Sequence, residues 1–384
     1  MQRGAYLDWN ATTPPLDSVV EAMRDAARRA WGNASSVHAF GREALACVED
    51  ARSAVAALAK CDPRDVILTS GATEANNIAL RSAFAVPSAM GRTLVTSRLE
   101  HPSVTRVAEA LEREGRARVR WVNVRDDGTI DLADLQRALS EGRVELMALQ
   151  HVNQETGVIQ PVDEALALGK RSEVALHVDA VQAFGRIESA AQQAATRSLA
   201  GHKMRGPKGI GALIVRPGVR IAPLLVGGSQ ERGLRPGTVD ASSAAGLAAA
   251  ARHAVEGPGR WRRLAALRDE LEVAICRLAR GARVNGVASL RAPHVTSVSF
   301  PGWSGPELVA ALDLEGIAVS SGSACSAGTA EPSATLLAMG DVEAARSTVR
   351  FSLGEDTRRE DVDLALGALA RILDRAAPGR PRSY

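Results

Sequence analysis

The sequence predicts an α/β protein, with a large unit on a mostly parallel central sheet and a smaller α/β unit after it. Three observations carry this. Short runs rich in Val, Ile, Leu and Thr recur at 66–69, 93–97, 118–124, 144–149, 174–178, 196–199 and 210–215. Segments of helical spacing separate most of them, and such alternation gives parallel sheets with right-handed crossovers. After Gly257-Pro258-Gly259 the pattern restarts with a long helix over 261–280. That punctuation reads as a domain boundary. It divides a large domain, 15–256, from a small domain made of 1–14 and 257–376.

The elements follow in order. Residues 1–15 are irregular, and Asp17 or Ser18 can cap a helix to about 31. After a turn at 32–36, a helix from 38 or 41 to 60 places Ala44, Val48, Ala51 and Val55 on one face. The strand at 66–69 runs into Ser70-Gly71-Ala72-Thr73-Glu74-Ala75-Asn76-Asn77. A strand, a small-residue turn and a helix start present free N–H groups and a positive dipole end to an anion. The same residues also suit a plain N-cap. The strand at 93–97 leads to Glu100-His101-Pro102-Ser103, where Pro102 fits the first helical position. His101 at that corner is either structural or a ring that faces a ligand and moves protons. Helices at 131–140 and 161–171 flank the strand 144–149, which ends in His151-Val152-Asn153. Asp179 closes the strand 174–178, and Gln182, three residues on, can face the same site.

The strand at 196–199 ends in Ala200-Gly201-His202-Lys203. The chain has only four lysines, Lys60, Lys170, Lys203 and Lys208. A nucleophilic amine therefore has few candidates, because arginine stays protonated. Ligands of parallel sheets sit at the carboxyl ends of strands. An Asp and a Lys at two such ends suit pyridoxal phosphate, as partner of the pyridinium nitrogen and as Schiff-base amine. The competing reading is a surface lysine in a Gly/Pro turn. Residues 227–238 form a second loop rich in glycine and hydroxyls, either a phosphate contact or a connector. A helix at 241–255 follows, then strands at 295–300 and 348–352 and helices at 305–314 and 359–375. The Pro/Arg-rich tail, 377–384, is expected to be disordered.

Composition narrows the function. Aromatic residues are 3% of the chain, so Ala, Leu and Val must fill the core. The net charge of +3, with both signs interspersed, makes no case for nucleic-acid or membrane binding. The N-terminus has no apolar signal core and no run is long enough to span a bilayer, so a cytoplasmic, reducing setting is expected. Cys47, Cys61, Cys276 and Cys325 have no metal-ligand spacing, and no metal is expected. Cys325 stands apart, in a loop of small residues after the run at 317–319 that is expected to be mobile. Its thiol is either a nucleophile or an incidental surface cysteine. Arg350 either grips a carboxylate with two donors or sits in a structural ion pair.

Taken together, these motifs resemble the cysteine desulfurases of the NifS/IscS type, in the class V aminotransferase group of fold-type I pyridoxal-phosphate enzymes. The resemblance runs from Leu7-Asp8 to about Gly354. It rests on Ser70-Gly71-Ala72-Thr73-Glu74, Glu100-His101, His151-Val152-Asn153, His177-Val178-Asp179-Ala180-Val181-Gln182, Gly201-His202-Lys203, Glu231-Arg232-Gly233, Gly237-Thr238, Ser320-Ser321-Gly322-Ser323-Ala324-Cys325 and Arg350-Phe351-Ser352. It implies that Lys203 carries the cofactor, Asp179 and Gln182 hold its ring, and His101 stacks on it. Ala72, Thr73 and His202 would bind phosphate, with Thr238 reaching in from the partner subunit of a homodimer. Asn153 and Arg350 would take the carboxylate of L-cysteine, and Cys325 would accept its sulfur. The sulfur would then pass to an acceptor protein, such as an iron–sulfur scaffold or a sulfur carrier.

Three positions depart from the family pattern: Ala200 where a hydroxyl residue is usual, Pro236 for a small residue, and Gln154 for a frequent Asn. Loss of the hydroxyl at 200 implies a phosphate contact weaker by about 1 kcal/mol. A selenocysteine lyase, or an aminotransferase or epimerase on the same scaffold, is the rival enzyme reading. A non-catalytic scaffold that binds sulfur carriers is the rival of another class.

Overall fold

A computed structural model describes residues 4–86, 91–188, 191–322 and 331–376. Its centre is a seven-stranded sheet in the order Val66–Thr69, Gly211–Val215, Thr196–Ala200, Ala175–Asp179, Val144–Gln150, Thr93–Ser97, Arg118–Val122. Only Gly211–Val215 runs antiparallel to its neighbours. The other pairings are parallel, so the α/β expectation holds. Most of these strands are buried on both faces, which is why they read as continuous apolar runs rather than alternating ones. Helices Ala39–Ala59 and Ala241–Val255 contribute Val48, Val55, Leu247 and Ala251 to one core cluster, with Leu68 and Val178 of the sheet. Helices Ala72–Ala83 and Pro102–Arg113 build another from Ile78, Leu80, Val104 and Leu111.

A three-stranded antiparallel sheet joins Arg283–Val284, Val295–Ser299 and Thr348–Ser352. The strand Ala5–Tyr6 pairs with Ile317–Ala318. Leu7 and Trp9 share a core with Trp261, Leu271, Phe300, Phe351 and Leu369. The N-terminal residues thus belong physically to the C-terminal part of the chain.

Several boundaries differ from expectation. The helix at 17 starts after Leu16, which offers no side-chain cap; Asp17 is its first residue instead. The expected helix 261–280 is two, Gly257–Arg262 and Leu264–Leu278, and Gly257-Pro258-Gly259 is the first turn of the former. Gly257 is required because a Cβ there would lie 1.9 Å from the Gly185 carbonyl oxygen. The tail 377–384 lies outside the described residues, as does Cys325.

Candidate active site

Six parallel strands end on one edge of the sheet, and residues at or just past the ends of five of them line one cavity of about 550 Å³. Thr73, His101, Asp179, Gln182, His202, Lys203 and Arg350 all face it, with Ala72 and Ala200. Sequence reasoning therefore brought most of its site residues to one place.

The helix Ala72–Ala83 begins at the cavity wall. Its first internal hydrogen bond is Ala75 N–H to the Gly71 carbonyl, which leaves the preceding N–H groups without helical acceptors. Gly71 has φ +151°, a conformation that side chains rarely adopt. Glu74 faces the same end, but Arg235 Nε (2.9 Å) and the Ser70 N–H (2.5 Å) occupy its carboxylate.

Asp179 is buried and held by uncharged donors. Asn76 Nδ2 donates to Oδ2 at 2.8 Å, and the Val181 N–H donates to Oδ1 at 3.1 Å. Behind it runs a buried chain that sequence reasoning missed. Asn76 Oδ1 meets His177 Nε2 at 3.0 Å, and His177 Nδ1 meets Thr196 Oγ1 at 2.9 Å. Burial lowers the His177 pKa to about 4, so the ring is neutral. Asn76 Oδ1 can only accept, so Nε2 carries the ring proton and Thr196 donates to Nδ1. The second Asn76 N–H goes to Ser103 Oγ at 2.8 Å, which meets His101 Nδ1 at 2.8 Å. The Ser103 N–H also donates to His101 Nδ1 at 3.1 Å. Nδ1 is therefore the acceptor, and the proton of neutral His101 sits on Nε2. Burial lowers the His101 pKa, with Asp179 opposing and Lys203 assisting.

Lys203 follows the strand Thr196–Ala200 in a short 3₁₀ turn, Gly201–Lys203. Its Nζ donates to the carbonyls of Asn10 (2.5 Å) and Ala11 (2.8 Å). The amine thus faces a cavity wall made by the N-terminal segment, and Asn10, Ala11 and Thr12 are lining residues that sequence reasoning did not select. The neighbouring His202 contacts Thr12 Oγ1 at 3.1 Å, and burial, helped by Lys203, lowers its pKa to about 4. Gln182 is engaged at both polar atoms: one N–H of Nε2 donates to the Asn10 carbonyl and Oε1 accepts from Arg186, while the amide keeps a second N–H to offer. Arg186 is buried among neutral acceptors, including the Lys203 carbonyl at 3.0 Å.

Two expectations change. Arg350 reaches the cavity, but Nη2 pairs with Asp8 at 2.6 Å and Nη1 donates to the Gln154 carbonyl at 3.0 Å. The ion-pair reading is thus realised at the cavity wall, and the Arg350 Nε is buried without a hydrogen-bond partner among the described residues. Asn153 does not line the cavity. Its Oδ1 accepts from the N–H groups of Glu155 and Thr156, and its Nδ2 donates to the Leu99 carbonyl and Thr335 Oγ1. With 0% exposure and its amide fully used, it is not placed to hold a substrate carboxylate. Thr238 is exposed and does not line the cavity of its own chain.

The donor set fits pyridoxal phosphate. A helix N-terminus with Thr73 and His202 makes an anion seat, a buried carboxylate is held by Asn76 and a backbone N–H with no cationic side chain bonded to it among the described residues, and a lysine amine shares the same cavity. The aminotransferase class-V family model matches residues 5–365, and the chain belongs to that family. It is 36% identical over 379 residues to a cysteine desulfurase IscS of Dictyoglomus turgidum, covering 98% of this chain and 96% of that protein. Among solved structures, a NifS-like protein superposes with a TM-score of 0.90 at 33% identity, covering 97% of this chain and all of that one. A structure described as SspA in complex with cysteine has a TM-score of 0.79 at 30% identity, covering 91% and 98%. Within the family, the chain falls with the NifS/IscS-type cysteine desulfurases.

Proposed function

We propose that this protein is a pyridoxal-phosphate-dependent cysteine desulfurase, which releases L-alanine from L-cysteine and leaves the sulfur as a persulfide on Cys325. The observation that carries the reading is the meeting of Lys203, Asp179, His101 and Arg350 in one cavity beside a helix N-terminus. Ala72, Thr73 and His202 would seat the cofactor phosphate, Asp179 and Gln182 its ring, and Lys203 its aldehyde carbon. Bound there, the cofactor supplies an electron sink for the substrate's α-carbon.

The protein's own groups do the rest. Asp179, kept in place by Asn76 and the Val181 N–H, presents a carboxylate to a protonated ring nitrogen. Lys203 Nζ takes the substrate α-proton. Arg350 binds the substrate carboxylate by exchanging its Nη2 from Asp8. The Cys325 thiolate attacks the substrate sulfur, so that an S–S bond forms and the Cβ–S bond breaks. The electron pair stays with the carbon skeleton, which gains protons and leaves as L-alanine. The balance is L-cysteine plus thiol to L-alanine plus persulfide, with no outside oxidant.

An acceptor protein, such as an iron–sulfur scaffold or a sulfur carrier, would then take the terminal sulfur. No helix among the described residues is long and apolar enough to cross a membrane. A cytoplasmic setting, where thiols stay reduced, suits a working persulfide. The chain would act as a homodimer. Thr238 is exposed in the single chain, and so are Leu225 (53%) and Val226 (99%) just before its loop. Such surface calls for a cover.

The test is spectroscopic and chemical. Purified protein should be yellow, and Lys203→Ala should lose that absorption. Cys325→Ala should keep it but release no sulfide from cysteine under reducing conditions; full turnover by Cys325→Ala would end this reading.

A further inference from the structure

Glu155 has no role in the site described so far, yet its carboxylate is buried between two parts of the chain that flank Cys325. Ser333 Oγ accepts the Leu336 N–H at 3.1 Å and therefore gives its own proton to Glu155 Oε2, at 2.5 Å. Thr335 Oγ1 accepts from Asn153 Nδ2 at 3.4 Å and gives its proton to Glu155 Oε1, at 3.0 Å. Both carboxylate oxygens are thus acceptors, and an amide could supply only one. On the other flank, Gly322 rests against the same group. A Cβ there would lie 2.4 Å from Glu155 Oε2 and 2.8 Å from Ser333 Cβ. Ser320 is tied to Arg350 by paired backbone hydrogen bonds of 2.7 and 3.2 Å. Glu155 also follows Gln154, whose carbonyl holds Arg350 Nη1.

We propose that Glu155 is a positioning residue for sulfur transfer, fixing both ends of the segment that bears Cys325 beside the wall that carries Arg350. This deepens the desulfurase reading and rests on it. It also gives Asn153 a use other than substrate binding, since its amide orients Thr335 toward Glu155. Lys203-dependent chemistry at the α-carbon needs no thiol, so the two half-reactions can be separated.

The experiment compares Glu155→Gln, Glu155→Ala and Thr335→Val with wild type in three measurements. The first is sulfide release from L-cysteine, expected to fall about tenfold or more, the scale of one charge-assisted hydrogen bond. The second is exchange of the α-proton of L-alanine in heavy water, expected to stay within about twofold. The third is hydrogen exchange at the Leu336 and Leu337 amides in cofactor-free protein, expected to speed up. Unchanged sulfide release, or equal loss of both reactions, overturns the proposal. If Glu155→Ala does not fold, the near-isosteric Glu155→Gln and Thr335→Val decide. A wild type that neither exchanges nor releases sulfide would count against the desulfurase reading, while the Leu336 amide still shows whether Glu155 holds the ends.

Discussion

The amide of Asn76 shows how much one residue can control. It stands at 0% exposure between His177, Asp179 and Ser103, and its orientation is forced, because Asp179 needs its donor and His177 needs its acceptor. Asn76→Asp keeps the shape and reverses the polarity, setting a second carboxylate against Asp179. Like charges at that range push one proton back on. The variant should hold pyridoxal phosphate about tenfold or more weakly, read as visible absorbance retained after dialysis; undiminished retention would show that Asp179 does not depend on this amide. His177 makes a second prediction. Burial lowers its folded pKa to about 4 from the ordinary imidazole value of 6.5. Between those values the unfolded chain binds the proton and the native chain does not, so stability present above pH 6.5 is lost as pH falls toward 4. The contribution is on the order of 3 kcal/mol. His177→Gln can still donate to Asn76 and accept from Thr196, but it cannot titrate. Its urea midpoint should fall less than that of wild type between pH 7 and 4.5, and parallel curves would refute the assignment.

Among the elements, the loop that carries Thr238 is anchored by charge. Arg52, on helix Ala39–Ala59, makes two bonds of 2.7 and 2.8 Å to Glu231, which also accepts the Leu68 N–H at 2.8 Å. Glu231 and Arg232 both have positive φ, 48° and 59°, so the ion pair holds a backbone that does not favour itself. Arg52→Ala strands a buried carboxylate and should cost about 3–5 kcal/mol in denaturant unfolding; a loss below about 1 kcal/mol would mean that the pair is solvated. The sequence shows this loop as glycine and hydroxyl groups, but not its anchor, because residues 52 and 231 are far apart in the chain. The same limit explains other misses. Asn10 and Thr12 lie in an irregular start, and only the fold lays them over Lys203 and His202. Arg186 looks like ordinary surface charge until four neutral oxygen acceptors surround it. By contrast, helices 241–255 and 305–314 and the strand 348–352 were legible to the residue, since local spacing and caps decide them. Asp179 and Lys203 were legible because a strand end puts its next residues at the sheet edge wherever the rest of the chain goes, whereas His202 was named only through the family resemblance.

For the whole molecule, the question is whether one chain makes one complete site. Lys203 and Asp179 line the cavity, whereas Thr238 of the same chain is exposed and outside it. Thr238 leads into Asp240, the cap of helix Ala241–Val255. Ala241 shares a small core with Ala26, Ala30 and Ala44. Just beyond Ala30, Trp31 is 67% exposed and stacks on Phe40 at 5.0 Å. An exposed aromatic pair next in the chain to that small core is what a second copy would cover. If Thr238 serves the partner, subunits with different lesions should complement each other. Lys203→Ala chains cannot turn over in any site they build, and Thr238→Val chains lack a phosphate contact in the partner's site. In a co-expressed hybrid, the Lys203 of the Thr238→Val chain receives an intact Thr238 from the Lys203→Ala chain, so one site of the two is complete. Differently tagged hybrids should therefore release sulfide at about half the wild-type rate per dimer, and that site should retain cofactor as wild type does. If Thr238 instead served its own chain, no hybrid site would be complete, and the hybrid would bind cofactor as weakly as the Thr238→Val homodimer.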